Sequence, residues 1–146
     1  MRLAHKVRHL GDAYYYAGQL SLAEPCYVEA LSIYRTQEHK PPLDLANAIR
    51  SFAVLKAELG AADEARHLWE EAHDLYVAVE VSAGVAESAA RLALLARHEG
   101  DIERSRKWFD KALVAAGDTD DRETQEYIRE VKAQIDNHVE ISPMEV

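Results

Sequence analysis

Leu10-Gly11-Asp12-Ala13-Tyr14-Tyr15-Tyr16-Ala17-Gly18-Gln19-Leu20-Ser21-Leu22-Ala23-Glu24-Pro25-Cys26-Tyr27-Val28-Glu29-Ala30 is the stretch that decides the fold. An apolar residue stands beside a small one, a glycine follows, and then come a small residue, a bulky aromatic and an alanine. The same order returns as Phe52-Ala53, Gly60, Ala65, Trp69 and Ala72, and again as Leu92-Ala93, Gly100, Ser105, Phe109 and Ala112. Glycine-to-glycine spacings of 42 and 40 residues set the period. A fixed period of this length is the mark of a repeat architecture, in which each unit buries its apolar face only by stacking on a neighbour.

Each position has a physical reason. Small residues beside large ones let two antiparallel helices approach closely while the aromatic fills the space between them. Gly18, Gly60 and Gly100 supply the left-handed backbone that ends one helix and turns the chain tightly. Ser21 with Glu24, and Asp101 directly after Gly100, read as N-terminal caps of the second helices. Pro25 is expected close enough to its helix start for the missing N–H to cost little. Tyr27, Trp69 and Phe109 are expected to be mostly buried, and Leu3, Val7, Leu10 and Tyr14 to supply the core face of the first helix.

Composition agrees. Of 146 residues 48% are hydrophobic and 29% charged, enough for one soluble domain with a real core. Strong helix formers dominate and alternating β-branched runs are absent, which makes the chain all-α. Seventeen basic against twenty-six acidic residues leave a net charge of −9, unfavourable for nucleic acid or an anionic membrane. No apolar run approaches the roughly 20 residues of a membrane span, and the charged start is no secretory signal. A lone cysteine, Cys26, leaves no internal disulfide. The expectation is a cytoplasmic protein.

Leu10-Gly11, Tyr14, Gly18, Ala23, Tyr27 and Ala30 resemble the tetratricopeptide signature almost position for position, with Lys56 replacing a usual tyrosine in the second copy and Ser105 a usual alanine in the third. The long period, with Ala23 to Leu31 followed by Lys40-Pro41-Pro42-Leu43-Asp44-Leu45-Ala46, is similar to the kinesin light chain variety. The resemblance covers roughly residues 4–116. It implies a right-handed α-α superhelix: a single domain over 1–140 with repeats at about 4–38, 46–80 and 86–116. Helices are expected over about 2–17, 20–38, 43–59, 62–80, 83–98 and 102–116. Beyond them, Ile128, Val131, Ile135 and Val139 form an apolar stripe that predicts a capping helix over about 121–139, and 141–146 is expected to be a flexible tail.

The same resemblance implies that the first helix of each pair lines a concave groove that holds a protein or peptide. By the family's register that groove comprises His5, Arg8, Asp12 and Tyr15, then Asn47, Arg50 and Val54, then Glu87, Arg91, Leu94 and Arg97. The family's clamp on a chaperone carboxylate places lysines, asparagines and an arginine where this chain has Arg8, Asp12, Ser51, Glu87 and Arg91. Two acids at those positions repel a carboxylate, so that function is not implied. Arginines and tyrosine among aliphatics still suit an interface. The implied function is a non-catalytic scaffold; the alternatives are a self-associating module, a homodimer using the open first repeat, or a small sensor of a signalling peptide.

Candidates for chemistry are weak. Cys26 adjoins a packing aromatic and has no base partner readable from sequence. His5, His9 and Asp12 share a helical face, but two histidines do not make a metal site. His67 and His73 lie six apart and face differently. Asp118, Asp120, Asp121 and Glu123 lack the glycine and terminal glutamate of a calcium loop and instead suit the start of the last helix. No phosphate cradle, nucleophile elbow or zincin motif occurs. No catalytic residue, cofactor or metal is expected.

Overall fold

The computed structural model describes residues 2–37, 39 and 41–141, with no side-chain description for Arg2 and 137–141. The expected tail residues 142–146 and Lys40 of the first linker lie outside the described residues, as does the side chain of Val139. Among the described residues there are seven helices and no strand: α1 Arg2–Tyr16, α2 Leu20–Thr36, α3 Pro42–Glu58, α4 Ala62–Ala78, α5 Ser82–His98, α6 Ile102–Gly117 and α7 Arg122–Ile141. They form two compact units, Met1–Val79 and Glu80–Val146.

The glycine turns are built alike. Gly18, Gly60 and Gly100 have φ of 79, 80 and 86 degrees. At each, the glycine N–H and the next residue's N–H reach back to two carbonyls of the helix just ended. Gly18 and Gln19 donate to Tyr15 and Tyr14, Gly60 and Ala61 to Ala57 and Lys56, and Gly100 and Asp101 to Arg97 and Ala96. This crossed pair satisfies carbonyls that a helix end otherwise leaves orphaned. Glu80, at φ 58, is a non-glycine residue in the same left-handed region after α4.

In unit 1, α1 pairs with α2 and α3 with α4, and α3 lies against α2. Tyr27, Tyr34, Trp69, Tyr76, Ile49 and Leu55 are buried, separated by buried Ala23, Ala30, Ala46, Ala53, Ala65 and Ala72. The first helix departs in part from the expected core. Leu3 and Leu10 are 59% and 49% exposed and Val7 is only half-buried, while Tyr14 packs on the cluster of Ala23, Tyr27 and Leu55 as expected. The seat on α2 is made instead by Ala4 and Gly11, because a large ring occupies the space there. A Cβ on Gly11 would stand 2.9 Å from Cε1 of Tyr27.

The cap at Ser21 is also not formed. Helix α2 starts at Leu20 behind Gln19, with no side-chain cap, and Glu24 pairs with Lys56 at 2.6 Å instead. Pro25 is thus the sixth residue of α2, past the first turn, and the Ser21 carbonyl loses its helical donor. The Asp101 cap is formed: its carboxylate accepts the Arg104 N–H at 3.0 Å.

Unit 2 packs α5, α6 and α7 around Ala86, Ala89, Ala90, Ala112, Ala115 and Ala116 with Ile128 and Val131. The polar side of α7, with Glu126, Arg129, Glu130 and Lys132, is exposed, as a capping helix requires. Ser105 is buried where an alanine is usual, and its hydroxyl donates to the Ala93 carbonyl at 2.8 Å, which satisfies it. Phe109, the third aromatic, packs against the alanine cluster of this unit as expected, though less fully covered than Tyr27 and Trp69. It is half-buried, because α7 lies mainly along α5 and leaves that edge of α6 partly open.

Candidate functional site

In unit 1 the polar residues of α1 and α3 are held by phenols. Tyr34 of α2 lies 3.0 Å from Nδ1 of His5. Tyr27 of α2 donates to the Asp12 carboxylate at 2.6 Å, and Tyr76 of α4 donates to the Asn47 amide oxygen at 2.6 Å. Tyr15 of α1 donates to Glu58 of α3 at 2.6 Å. His5 and Asn47 are 42 residues apart, as are Tyr34 and Tyr76, so the first and third bonds are one device used twice.

Arg8 lies near Tyr34, whose phenol burial pushes up against the opposing pull of that guanidinium; Asp44 pushes it up as well. Burial and then the hydrogen bond to the Asp12 carboxylate likewise raise Tyr27, so both phenols stay protonated and Tyr27 remains a donor. The Arg8 Nε is buried with no hydrogen-bond partner among the described residues. Arg50 and Val54 are half-buried on α3. His5 and His9 stack edge-to-face at 5.0 Å, and His9 reaches Asp12 at 3.6 Å. Among the described residues no three His, Cys, Asp or Glu are placed to hold a metal ion, and no helix is long and apolar enough to cross a membrane.

In unit 2 the four expected residues divide. Glu87 and Arg91 pair at 3.4 Å along α5, and the Arg91 guanidinium lies 5.0 Å from the centre of the Tyr127 ring of α7. Arg91 is therefore partly engaged within its own unit. Leu94 packs on the alanine core of the unit, so only part of it faces outward. Arg97 is half-buried, with its Nε unpartnered among the described residues. Cys26 is partly covered, and its thiol is raised first by burial and then by Glu29, which keeps it from being a ready nucleophile. Asp121, by contrast, is held below the ordinary carboxylate range by the hydroxyl and N–H of Thr124, as expected for an acid at the start of α7.

Tyr34 and Tyr76 in unit 1 and Tyr127 in unit 2, which position these side chains, are absent from the set expected from the sequence. The first two repeat at the glycine period and were legible from it; Tyr127 had no such signal.

No protein-family model matches the chain, and no curated protein does. Solved structures do. BtubC (BKLC) from P. vanneervenii superposes with a TM-score of 0.68 at 23% identity, over 82% of this chain and 48% of that one. The TPR domain of Arabidopsis FLU gives 0.71 at 16% identity, over 81% and 98%. The TPR2AB domain of yeast Sti1, in complex with pHSP90, gives 0.65 at 16%, over 93% and 48%. The chain thus spans about half the length of BtubC and of the Sti1 fragment. The likeness is one of fold, and it agrees with the three glycine-turned hairpins and closing helix described above. The chain has the all-α fold of tetratricopeptide-repeat domains.

Proposed function

We propose that this protein is a non-catalytic scaffold that holds a protein or peptide on the half-buried, largely polar faces of its first-of-pair helices. In unit 1 the face is His5, Arg8, Asp12, Tyr15, Asn47, Arg50 and Val54; in unit 2 it is Glu87, Arg91, Leu94 and Arg97. The observation that carries the reading is the set of tyrosine hydroxyl bonds that fix four of these side chains from other helices. A surface already held in one geometry loses little side-chain entropy on binding, which is what a recognition surface needs and a merely solvated one does not. The Sti1 structure, a complex with pHSP90, supports the use of such a fold for partners. Arginines on a protein of net charge −9 reverse the field locally and favour a ligand with acidic residues, tempered by Asp12, Glu58 and Glu87.

Affinity capture from source lysate tests this, with Arg8→Glu/Arg50→Glu for unit 1 and Arg97→Glu for unit 2, each first shown to be folded. Arg91 is spared, since reversing it also disturbs Tyr127. Loss of the captured partner with either variant is expected. Undiminished capture by both moves binding to another face.

Self-association is the second reading, favoured by the exposed leucines of α1.

A further inference from the structure

Unit 1 contains one worked example of how a hairpin of this chain is covered on its leading side. On α3 and α4 the leading side is Leu45, Ile49 and Phe52 with Leu68, Glu71 and Leu75, spaced by threes and fours along each helix. Leu45 is 7% and Ile49 0% exposed, and the Phe52 ring meets Tyr27 of α2 at 6.1 Å. Glu71 is taken by Arg35 of α2 through two bonds of 2.8 and 3.1 Å.

Subtracting 42 gives the same side of the α1–α2 hairpin: Leu3, Val7 and Leu10 with Cys26, Glu29 and Ile33. Leu22, at the same helical side of α2, extends it. Here Leu3 is 59%, Leu10 49% and Leu22 47% exposed. Glu29, the counterpart of Glu71, makes no ion pair among the described residues. One position is changed in kind: where α3 has Ala48, 1% exposed, α1 has the exposed Lys6. The side therefore shows leucines with a cation on one helix and a carboxylate on the other.

We propose that this face binds a second copy of the chain, related by a twofold axis, with Lys6 of each copy meeting Glu29 of the other. The face of α2 that covers α3 is already used within unit 1, so a second copy cannot repeat that arrangement. It can offer the same leucine face, and a twofold contact requires a surface to be its own complement. Lys6 in place of a buried alanine disfavours an uncharged neighbour, whereas the twofold pairing gives both Lys6 and Glu29 an opposite charge. Two helices, one about 22 Å long and each about 10 Å across, present about 450 Å² per copy, or about 900 Å² in total. That is below the roughly 1,200 Å² of standard stable interfaces, so the dimer is transient and dissociates in the micromolar range. This inference rests on the self-association reading given above, to which it adds the twofold geometry and the charge pair, and it is independent of the partner-binding faces.

Sedimentation equilibrium of the full chain, from low to high micromolar, reads the outcome. The average mass is expected to rise from 16.4 kDa towards twice that value. Leu10→Glu, at a site already half exposed, should stay helical by circular dichroism and remain monomeric throughout. Lys6→Glu and Glu29→Lys should each weaken association, and the two together should restore it. A monomer at high micromolar concentration, with the face left for another protein, overturns the proposal. So does a Leu10→Glu variant that associates like the parent, or a charge swap that restores nothing.

Discussion

Gly11→Ala sets two effects of opposite sign against each other. An alanine in a helix interior is worth about 1 kcal/mol over glycine, because less backbone entropy is lost on folding. Against it stands the space. The new Cβ would lie 2.9 Å from Cε1 and 3.1 Å from Cδ1 of Tyr27, and 3.1 Å from Cβ of Cys26. The Tyr27 ring is 2% exposed and its hydroxyl is tied to Asp12 at 2.6 Å, so the ring cannot swing aside without stretching that bond. Overpacking costs about 1–3 kcal/mol, and a strained hydrogen bond to a carboxylate adds up to about 1.5–3 kcal/mol more. The cost wins: Gly11→Ala should destabilise unit 1 by about 1–3 kcal/mol net. Urea unfolding followed by tryptophan fluorescence measures it, with Trp69 reporting unit 1 and Trp108 unit 2. Tyr27→Phe supplies the control, since cutting the tether frees the ring to shift. In that background the alanine should cost less than it does alone. A Gly11→Ala protein as stable as the parent, or an equal penalty with and without the Tyr27 hydroxyl, refutes the reasoning.

Four further outcomes follow from the same geometry. Trp69→Ala, at a site 1% exposed, should cost about 3–5 kcal/mol, read as a lowered urea midpoint. Glu80→Gly should stabilise by about 0.5 kcal/mol by calorimetry, the relief of a left-handed φ of 58 exceeding the added chain entropy. Lys56 lies 2.6 Å from both Glu24 and Glu64, with its side chain 15% exposed, and these carboxylates raise it above its ordinary 10.5. A raised folded-state value gives stability that is whole below the unfolded value and lost as pH climbs through the folded one. The stability difference between the parent and Lys56→Met should therefore shrink above pH 10.5 in denaturation curves. Ser105→Ala should cost about 1 kcal/mol by the same curves, the worth of its bond to Ala93.

The repeat is legible in the residues alone. A glycine that must adopt positive φ, an alanine that must sit under a neighbouring helix and an aromatic that must fill a gap are requirements of local geometry. They recur at one period, so three copies vouch for each other. The six repeat helices fall within two residues of their expected ends for that reason, and α7 does so because of its own apolar stripe. The α1 face was legible only in its membership. Periodicity says that Leu3 and Leu10 share a side, but not whether anything lies on that side. In α3 the equivalent Leu45 is buried because α2 precedes it; in α1 Leu3 stands open, so the same pattern gives core in one place and surface in the other. Phe109 differs from Tyr27 by the same logic, since its exposure is set by how α7 lies on α5 and α6. The partners of charged groups were likewise hidden. Glu24 reads as a cap and is in fact a counter-ion of Lys56, and Arg91 reads as a groove residue and lies over Tyr127 of α7. Those pairings join helices distant in the chain, and only the packing of one helix on another decides them.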